Sequence, residues 1–425
     1  MFNWWKLSFC VAPYLIFAIE WVLMRAALRG HAGRVTLPLT AFGLIAASKF
    51  VGFQIFGGNA FNPELPVWLL FAWGWMESVV WIGLPVGFCA ALFGWIARRF
   101  LRAAEGGRST WQGGRGIMQG GRDIEYGGRL GRLMWMSIGV SMALAAYGMW
   151  EGMRLPRVVE REIEFADLPP AFDGYRIAHV SDLHCSSAAR REKIAGIVER
   201  VNAAKPDLVC ITGDFVDGFP EQRLEDLEPL AQLEAPDCVL GCTGNHEKYW
   251  RIARWAPHFE AWGVKMLRNE WTAIEREDAR HGVPRPRKNR LVIGGMDDLA
   301  LGAHTAKVYE GAPEGFRILL FHRPYGLEAH DRIYQVRLQL SGHTHGGAMP
   351  IIDKFVARAN EGHVRGLYRE GNIVLHNSPG SGQWAGFPLR LFNPPEITIL
   401  ILKKSRGVLP RMDDIRTLLP PGGRI

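Results

Sequence analysis

Apolar residues run almost unbroken through the first third of the chain and then give way to short alternating blocks. Three long stretches, Leu7 to Leu28, Leu39 to Phe56 and Val67 to Ala97, are followed by a fourth from Leu133 to Trp150. Each is about long enough for a helix to cross a hydrocarbon core of ~30 Å, so the pattern predicts four membrane-spanning helices. The first is too long, and lacks the small-residue cleavage site, for a cleaved signal peptide. The third is longer than one span needs and contains Pro85, which predicts a kink or a re-entrant piece. Glu20, Lys49 and Glu77 fall inside these stretches. Ionisable groups are costly in lipid, so they are expected to face other helices or water.

From about Val158 the texture changes. Strand-like runs occur at Tyr175 to Ser181, Leu208 to Thr212, Cys238 to Cys242, Leu291 to Gly295, Arg317 to Phe321 and Val336 to Leu340, with amphipathic segments such as Arg190 to Asn202 between the early ones. Asn372 to His376 and Ile397 to Leu402 read as further strands and imply a second sheet. The pattern predicts N-terminal transmembrane α-helices followed by an α/β domain. Residues Arg276 to Arg290, rich in charge and proline, are expected to form an exposed excursion. The expected organisation is a membrane domain over 1–150, an α/β domain over 158–403 and a C-terminal tail over 404–425.

Composition alters this picture only where it is uneven. Hydrophobic residues make up 48% of the 425 and charged residues 22%, averages that conceal the gradient. The net charge of +8 does not point to nucleic acid, because many arginines sit in loops beside apolar segments. Arg25, Arg29 and Arg34 lie between the first two stretches; Arg98, Arg99, Arg102, Arg108, Arg115, Arg122, Arg129 and Arg132 lie between the last two. The positive-inside rule puts both loops in the cytoplasm and the large domain outside it. The 98–132 segment carries Gly-Gly-Arg every seven residues, at 106–108, 113–115, 120–122 and 127–129, and paired glycines predict a flexible basic loop rather than a coiled coil. The six cysteines show neither framework spacing nor a metal-type pair.

The chemistry sits at strand ends. Asp182 and His184 follow the first run, Asp214 and Asp217 the second, Asn245 and His246 the third; His322 follows a fourth, and His343 and His345 a fifth. Each signal alone is weak, and the convergence of five is strong. Oxygen and imidazole donors without cysteine suit iron, manganese or zinc, and their number matches two ions with a shared carboxylate. Glycines beside the donors allow sharp turns and close approach of a phosphate. Arg323, Arg365 and His376 are able to contact a phosphate but are read as ordinary surface or supporting groups. Trp384 and Phe387, which could form an apolar lip for a lipid chain, are read as packing for the second sheet.

These blocks, Asp182-x-His184, Gly213-Asp214-x-x-Asp217, Gly244-Asn245-His246-Glu247, His322 and Gly342-His343-x-His345, resemble the calcineurin-like metallophosphoesterase superfamily. Leu168 to Gly174, the Gly342 to Gly347 run, Gly366-Leu367-Tyr368 and Pro395 to Thr398 are similar to its membrane-associated bacterial subgroup, over about residues 158 to 403. The resemblance implies a four-layer α/β-β/α sandwich and two divalent or trivalent metal ions. One metal would be held by Asp182, His184, Asp214 and His345, the other by Asp214, Asn245, His322 and His343. It further implies that His246 acts on the phosphoryl group or leaving oxygen, with Asp217 orienting it. Tyr325, Ala348 and Cys185 depart from the subgroup at positions that are not ligands.

The expected protein is a membrane-anchored phosphoesterase, in a bacterial inner membrane with its domain extracytoplasmic. It would hydrolyse a phosphate mono- or diester, lipid or lipid-linked, through a metal-activated hydroxide. The alternative is a non-catalytic membrane scaffold or transporter component with a structural metal site, which would require neither His246 nor a glycine-lined rim.

Overall fold

The computed structural model describes residues 4–27, 32–49, 51, 58–59, 62–105, 117–277 and 288–405. They belong to two compact units: Met1–Arg154 with Ser186–Ala188 and Trp384–Asn393, and Leu155–Cys185 with Ala189–Gln383 and Pro394–Ile425. The C-terminal tail beyond residue 405 lies outside the described residues.

The first unit is helical. Helices Trp4–Ala27, Ala32–Ala47, Val67–Glu105 and Ile117–Met153 cover the apolar stretches, and a two-residue antiparallel pair, β1 (Gly58–Asn59) with β2 (Asn62–Pro63), precedes the third helix. Among the described residues, one segment, Val67–Gly87, is long and apolar enough to cross a membrane, and Val11–Val22 is a shorter apolar stretch. Val67–Glu105 is a single helix that contains Pro85, so no re-entrant piece interrupts it. The basic loop expected over 98–132 is narrower than the glycines suggest: 98–105 and 117–132 are helical, and only 106–116 lie outside the described residues. A helix already nucleated on apolar residues propagates at little cost per residue, which offsets the ~1 kcal/mol penalty of a glycine.

Two features of this unit were not visible in the pattern. Lys49 and Glu77, both fully buried, form an ion pair at 2.7 Å. The chain segment Trp384–Asn393 also belongs here, which corrects the expectation that it packs the second sheet: Phe387 meets Trp81 edge-on at 6.0 Å, and the amide of Arg390 donates to the carbonyl of Gly148 at 3.0 Å. Its aromatic and apolar side chains found helix grooves to fill, such as the one at Gly148, where an added Cβ would strike Leu389.

The second unit is a sandwich of two six-stranded sheets. One has the order β3 (Arg157–Phe165), β14 (Glu396–Lys404), β4 (Arg176–Val180), β5 (Leu208–Thr212), β6 (Cys238–Cys242), β7 (Val264–Met266). The other runs β12 (Gly366–Glu370), β13 (Ile373–Asn377), β11 (Val336–Ser341), β10 (Phe316–Leu320), β9 (Lys288–Gly295), β8 (Glu270–Glu277). Strand periodicity sorts their side chains. Leu291, Ile293, Ile318 and Leu320 join Ile177, Leu208 and Leu240 in the core between the sheets, while Val292 and Leu319 face the opposite way and pack with Leu327 of helix Leu327–Tyr334. On the first sheet's side, helix Arg191–Ala203 buries Ile194, Ile197, Val198 and Val201.

Strands β4, β5 and β6 are parallel, as are β9, β10, β11 and β13, so their C-terminal ends, where the donor residues lie, share a direction within each sheet. The excursion expected at 276–290 is largely strand at its described ends: Arg276 pairs with Asn289 and Glu277 with Lys288 in the β8–β9 ladder, and 278–287 lie outside the described residues. Antiparallel pairing lets charged residues alternate outward while the backbone stays bonded.

Candidate metal centre

The loops that leave β4, β5, β6, β10 and β11 bring the donor side chains together. Asp182, His184, Asp214, His343 and His345 all adopt positive φ, between 44° and 72°. This left-handed conformation is costly for residues with a Cβ and persists where surrounding structure holds it, as at binding sites. Two glycines make room. A Cβ on Gly213, at φ +79°, would strike the backbone of Gly244 and the ring of His322 at 2.9 Å; one on Gly342 would strike Ser181 and the Asp182 carboxylate.

Three groups each bring their donor atoms within 4.8 Å of one another: Asp182, His184 and His345; Asp182, Asp214 and His322; and His184, Asp217 and His246. In the first, His184 Nε2 is 3.0 Å from His345 Nε2 and 3.6 Å from Asp214 Oδ2. In the second, His322 Nδ1 donates to the carbonyl of Thr212 at 2.7 Å, and its Nε2 lies 3.3 Å from Asp214 Oδ2. Asp214 thus stands between the first two groups. The His343 ring lies 5.1 Å from that of His322. The third group reads differently, because its Asp217 uses one oxygen for each imidazole: Oδ2 meets His184 Nδ1 at 3.1 Å, and Oδ1 meets His246 Nδ1. It orients two rings rather than offering itself to an ion.

The electrostatics follow from this crowding. Burial would raise the Asp214 carboxyl, yet the nearby His322 and His246 imidazoles hold it well below the usual range. Burial raises the Asp182 carboxyl, helped by the charge of Asp214. His246 is pushed up to about 9: burial opposes its cation, and Asp214 and Asp217 more than offset that.

One buried atom tests the fit for cations. Asn245 Oδ1 has no hydrogen-bond partner among the described residues, and the Nε2 of His322 faces the Asp214 carboxylate. Orphaned buried acceptors are expensive unless something electropositive takes their lone pairs. Oxygen and imidazole donors around a central carboxylate therefore fit two hard-to-borderline cations.

Glu247 is a residue whose role the sequence reading missed. Its buried carboxylate accepts from the amides of Asp214 and Phe215 at 2.9 Å each and of Gly244 at 2.6 Å, which locks the second and third loops to each other. Its place beside Asn245 and His246 was the available signal. His376 is not at the rim: it lies in β13, buried, with its Nδ1 2.6 Å from His179 Nδ1. Arg365 is exposed and donates to the carbonyl of Gly346 at 3.2 Å.

Comparison with known proteins agrees with this geometry. The calcineurin-like phosphoesterase family model matches residues 175–347. The chain is 32% identical over 262 residues to the uncharacterized metallophosphoesterase YkuE of Bacillus subtilis, covering 58% of this chain and 85% of that one. It is 30% identical over 282 residues to a zebrafish (Danio rerio) protein described as a transmembrane protein with metallophosphoesterase domain, covering 64% of this chain and 62% of that one. A bovine (Bos taurus) protein of the same description is 29% identical over 285 residues, with 64% and 62% covered. The matches thus span under two thirds of these two animal relatives. The match to the family model, the similarity to YkuE along most of its length and a rim of converging donors have one common explanation: this chain belongs to the calcineurin-like metallophosphoesterases.

Proposed function

We propose that the protein is a membrane-anchored phosphoesterase that uses two metal ions, manganese, iron or zinc, to hydrolyse a phosphate mono- or diester. The observation that carries the reading is the orphaned acceptor Asn245 Oδ1 in a rim of converging carboxylates and imidazoles that also contains His246 fixed by Asp217. A purely structural metal site would need no such dyad.

When bound, cations at this rim would polarise a water molecule and the phosphate oxygens. Asp182, His184, Asp214 and His345 would hold one, and Asp214, Asn245, His322 and His343 the other. His246, kept protonated near neutral pH by Asp214 and Asp217, is suited to donate its Nε2 proton to the departing oxygen. Asp217 accepts from Nδ1, which fixes the ring and leaves Nε2 as the nitrogen that gives up its proton.

The helical unit supports the anchor: Val67–Gly87 is long and apolar enough to cross a bilayer, and relatives carry transmembrane descriptions. We take all four apolar stretches as spans, with the arginine-rich loops inside and the catalytic unit outside the cytoplasm of a bacterial inner membrane. A lipid or lipid-linked phosphoester fits an enzyme tethered to its substrate's membrane. The test is hydrolysis of a chromogenic monoester and diester by the full-length protein with added manganese. Equal residual rates in wild type, Asp214→Ala and His246→Ala would sink the reading.

A further inference from the structure

One cation stands beside this rim without being able to ligate a metal. Arg323 follows His322 at the end of β10, and its side chain is 23% exposed. The fully buried Asp298 grips it with both oxygens: Nε donates to Oδ2 at 2.6 Å and Nη2 to Oδ1 at 3.2 Å. Such a fork fixes the plane of the guanidinium, which a single contact would not. Asp298 is itself fixed, since its amide donates to Thr243 Oγ1 at 3.0 Å and its Oδ1 accepts from the amide of Ala300 at 2.9 Å. Thr243 lies two residues before Asn245, so this buttress and the third donor loop are one piece of chain.

The fixed guanidinium reaches the rim at His343, with Nη1 3.3 Å from Nε2. A permanent cation beside a metal-holding imidazole works against cation binding by simple repulsion. The arrangement is favourable once an anion lies between the positive groups, because a phosphoryl oxygen can accept from the guanidinium while facing the metals. Arg323 also interacts with the Tyr325 side chain, and a guanidinium still carries more N–H donors than Asp298, His343 and Tyr325 use.

We propose that Arg323, held rigid by Asp298, is the residue that binds a non-bridging oxygen of the substrate's phosphoryl group, with Asp298 as its positioning residue. This rests on the phosphoesterase reading and adds to it a specific anion contact beside His343. It also separates the work of the rim: carboxylates and imidazoles take the cations, and Arg323 takes the anion.

The test uses the full-length, manganese-loaded protein in detergent, inorganic phosphate as the probe, calorimetric titration for affinity and elemental analysis for bound manganese. Arg323→Ala should weaken phosphate binding roughly 10–100-fold while manganese content stays at the wild-type level. Arg323→Lys should recover part of the loss, since an ammonium restores charge but not the fork. Asp298→Asn should weaken binding in the same direction by less, and it carries the test if Arg323→Ala does not fold. With a chromogenic ester, KM should rise more than kcat falls.

Unchanged phosphate affinity in Arg323→Ala overturns the proposal. So does a parallel fall in manganese content, which would make Arg323 a support for His343. If the wild type cleaves no ester yet binds phosphate through Arg323, the anion site stands and the phosphoesterase reading fails.

Discussion

Among the described residues, buried charge is handled in opposite ways at two places. In the helical unit Lys49 and Glu77 meet at 2.7 Å, and Lys49 also donates to the carbonyl of Gly386 at 2.6 Å. The cation has two acceptors, and the opposite charges offset each other. At the candidate metal rim two carboxylates, Asp182 and Asp214, stand among imidazoles, with Asn245 Oδ1 unpartnered among the described residues and five candidate ligands held at positive φ. A closed ion pair is a packing element, whereas an open set of donors is completed by a ligand. The same inference cannot be drawn from residue types alone, since Lys, Glu, Asp and His in apolar surroundings look equally costly in the sequence.

The comparison can be broken most directly at Asp214. Replacing it by alanine removes the carboxylate between the two donor groups. Manganese-dependent hydrolysis is expected to fall below detection, and the rise in melting temperature on adding manganese to disappear. A variant that keeps both would show that the rim is not completed by metal. His246→Ala should lower kcat by ~10²–10⁴-fold, the range of a lost general acid, while the manganese-induced thermal shift is retained. Loss of that shift would turn His246 into a ligand and blur the distinction between the third donor group and the other two.

The closed pair predicts a different signature. Lys49→Met strands the Glu77 carboxylate and should destabilise the detergent-solubilised protein by about 3–5 kcal/mol, measured by denaturation. The double change Lys49→Met with Glu77→Leu should recover most of the loss. Failure of that rescue would mean the pair has a partner or a task beyond its own neutrality.

The smallest effect concerns a third buried pair, His179 and His376, in contact at 2.6 Å between the two sheets. Burial pushes His179 down to about 3 and His376 well below the ordinary histidine range. Both are therefore neutral in the folded protein and bind protons more readily when unfolded. Stability from this pair is fully present above the unfolded value of about 6.5, and it declines as pH falls from there through the depressed folded values. Acid unfolding with and without His376→Gln measures it; identical profiles below pH 6.5 would remove the pair from the account.

Much of the rim was legible because its chemistry is carried by residue type and order. A donor placed directly after a β-type run lands at a strand end whatever the strand's neighbours are. That made Asp182, His184, Asp214, Asn245, His322, His343 and His345 visible as candidates. Glu247 is legible as part of its motif and Arg323 as one of several loop cations able to contact a phosphate, but the clamp on three amides and the grip of Asp298 arise only when distant segments meet. Asp217 is legible as the partner of His246, whereas its hold on His184 depends on two loops converging.

In the fold, the fully buried runs such as Leu208–Thr212 and Val336–Ser341 were readable from unbroken apolar character. Strand β3 was not, since its alternating Glu and Arg residues, Val158 to Glu164, leave much of its surface exposed. It becomes a strand by pairing with β14 from the far end of the chain.

By itself the sequence determined which segments are apolar enough to be helices of the first unit, which become buried strands, and which donor types follow those strands. Local composition and a two- or four-residue period are sufficient for each. Tertiary structure alone decided that β14 enters between β3 and β4, that Trp384–Asn393 joins the helices, and that Arg323 stands beside His343. Those outcomes depend on contacts between residues tens to hundreds of positions apart, where shape, pairing and burial of whole segments outweigh any local preference.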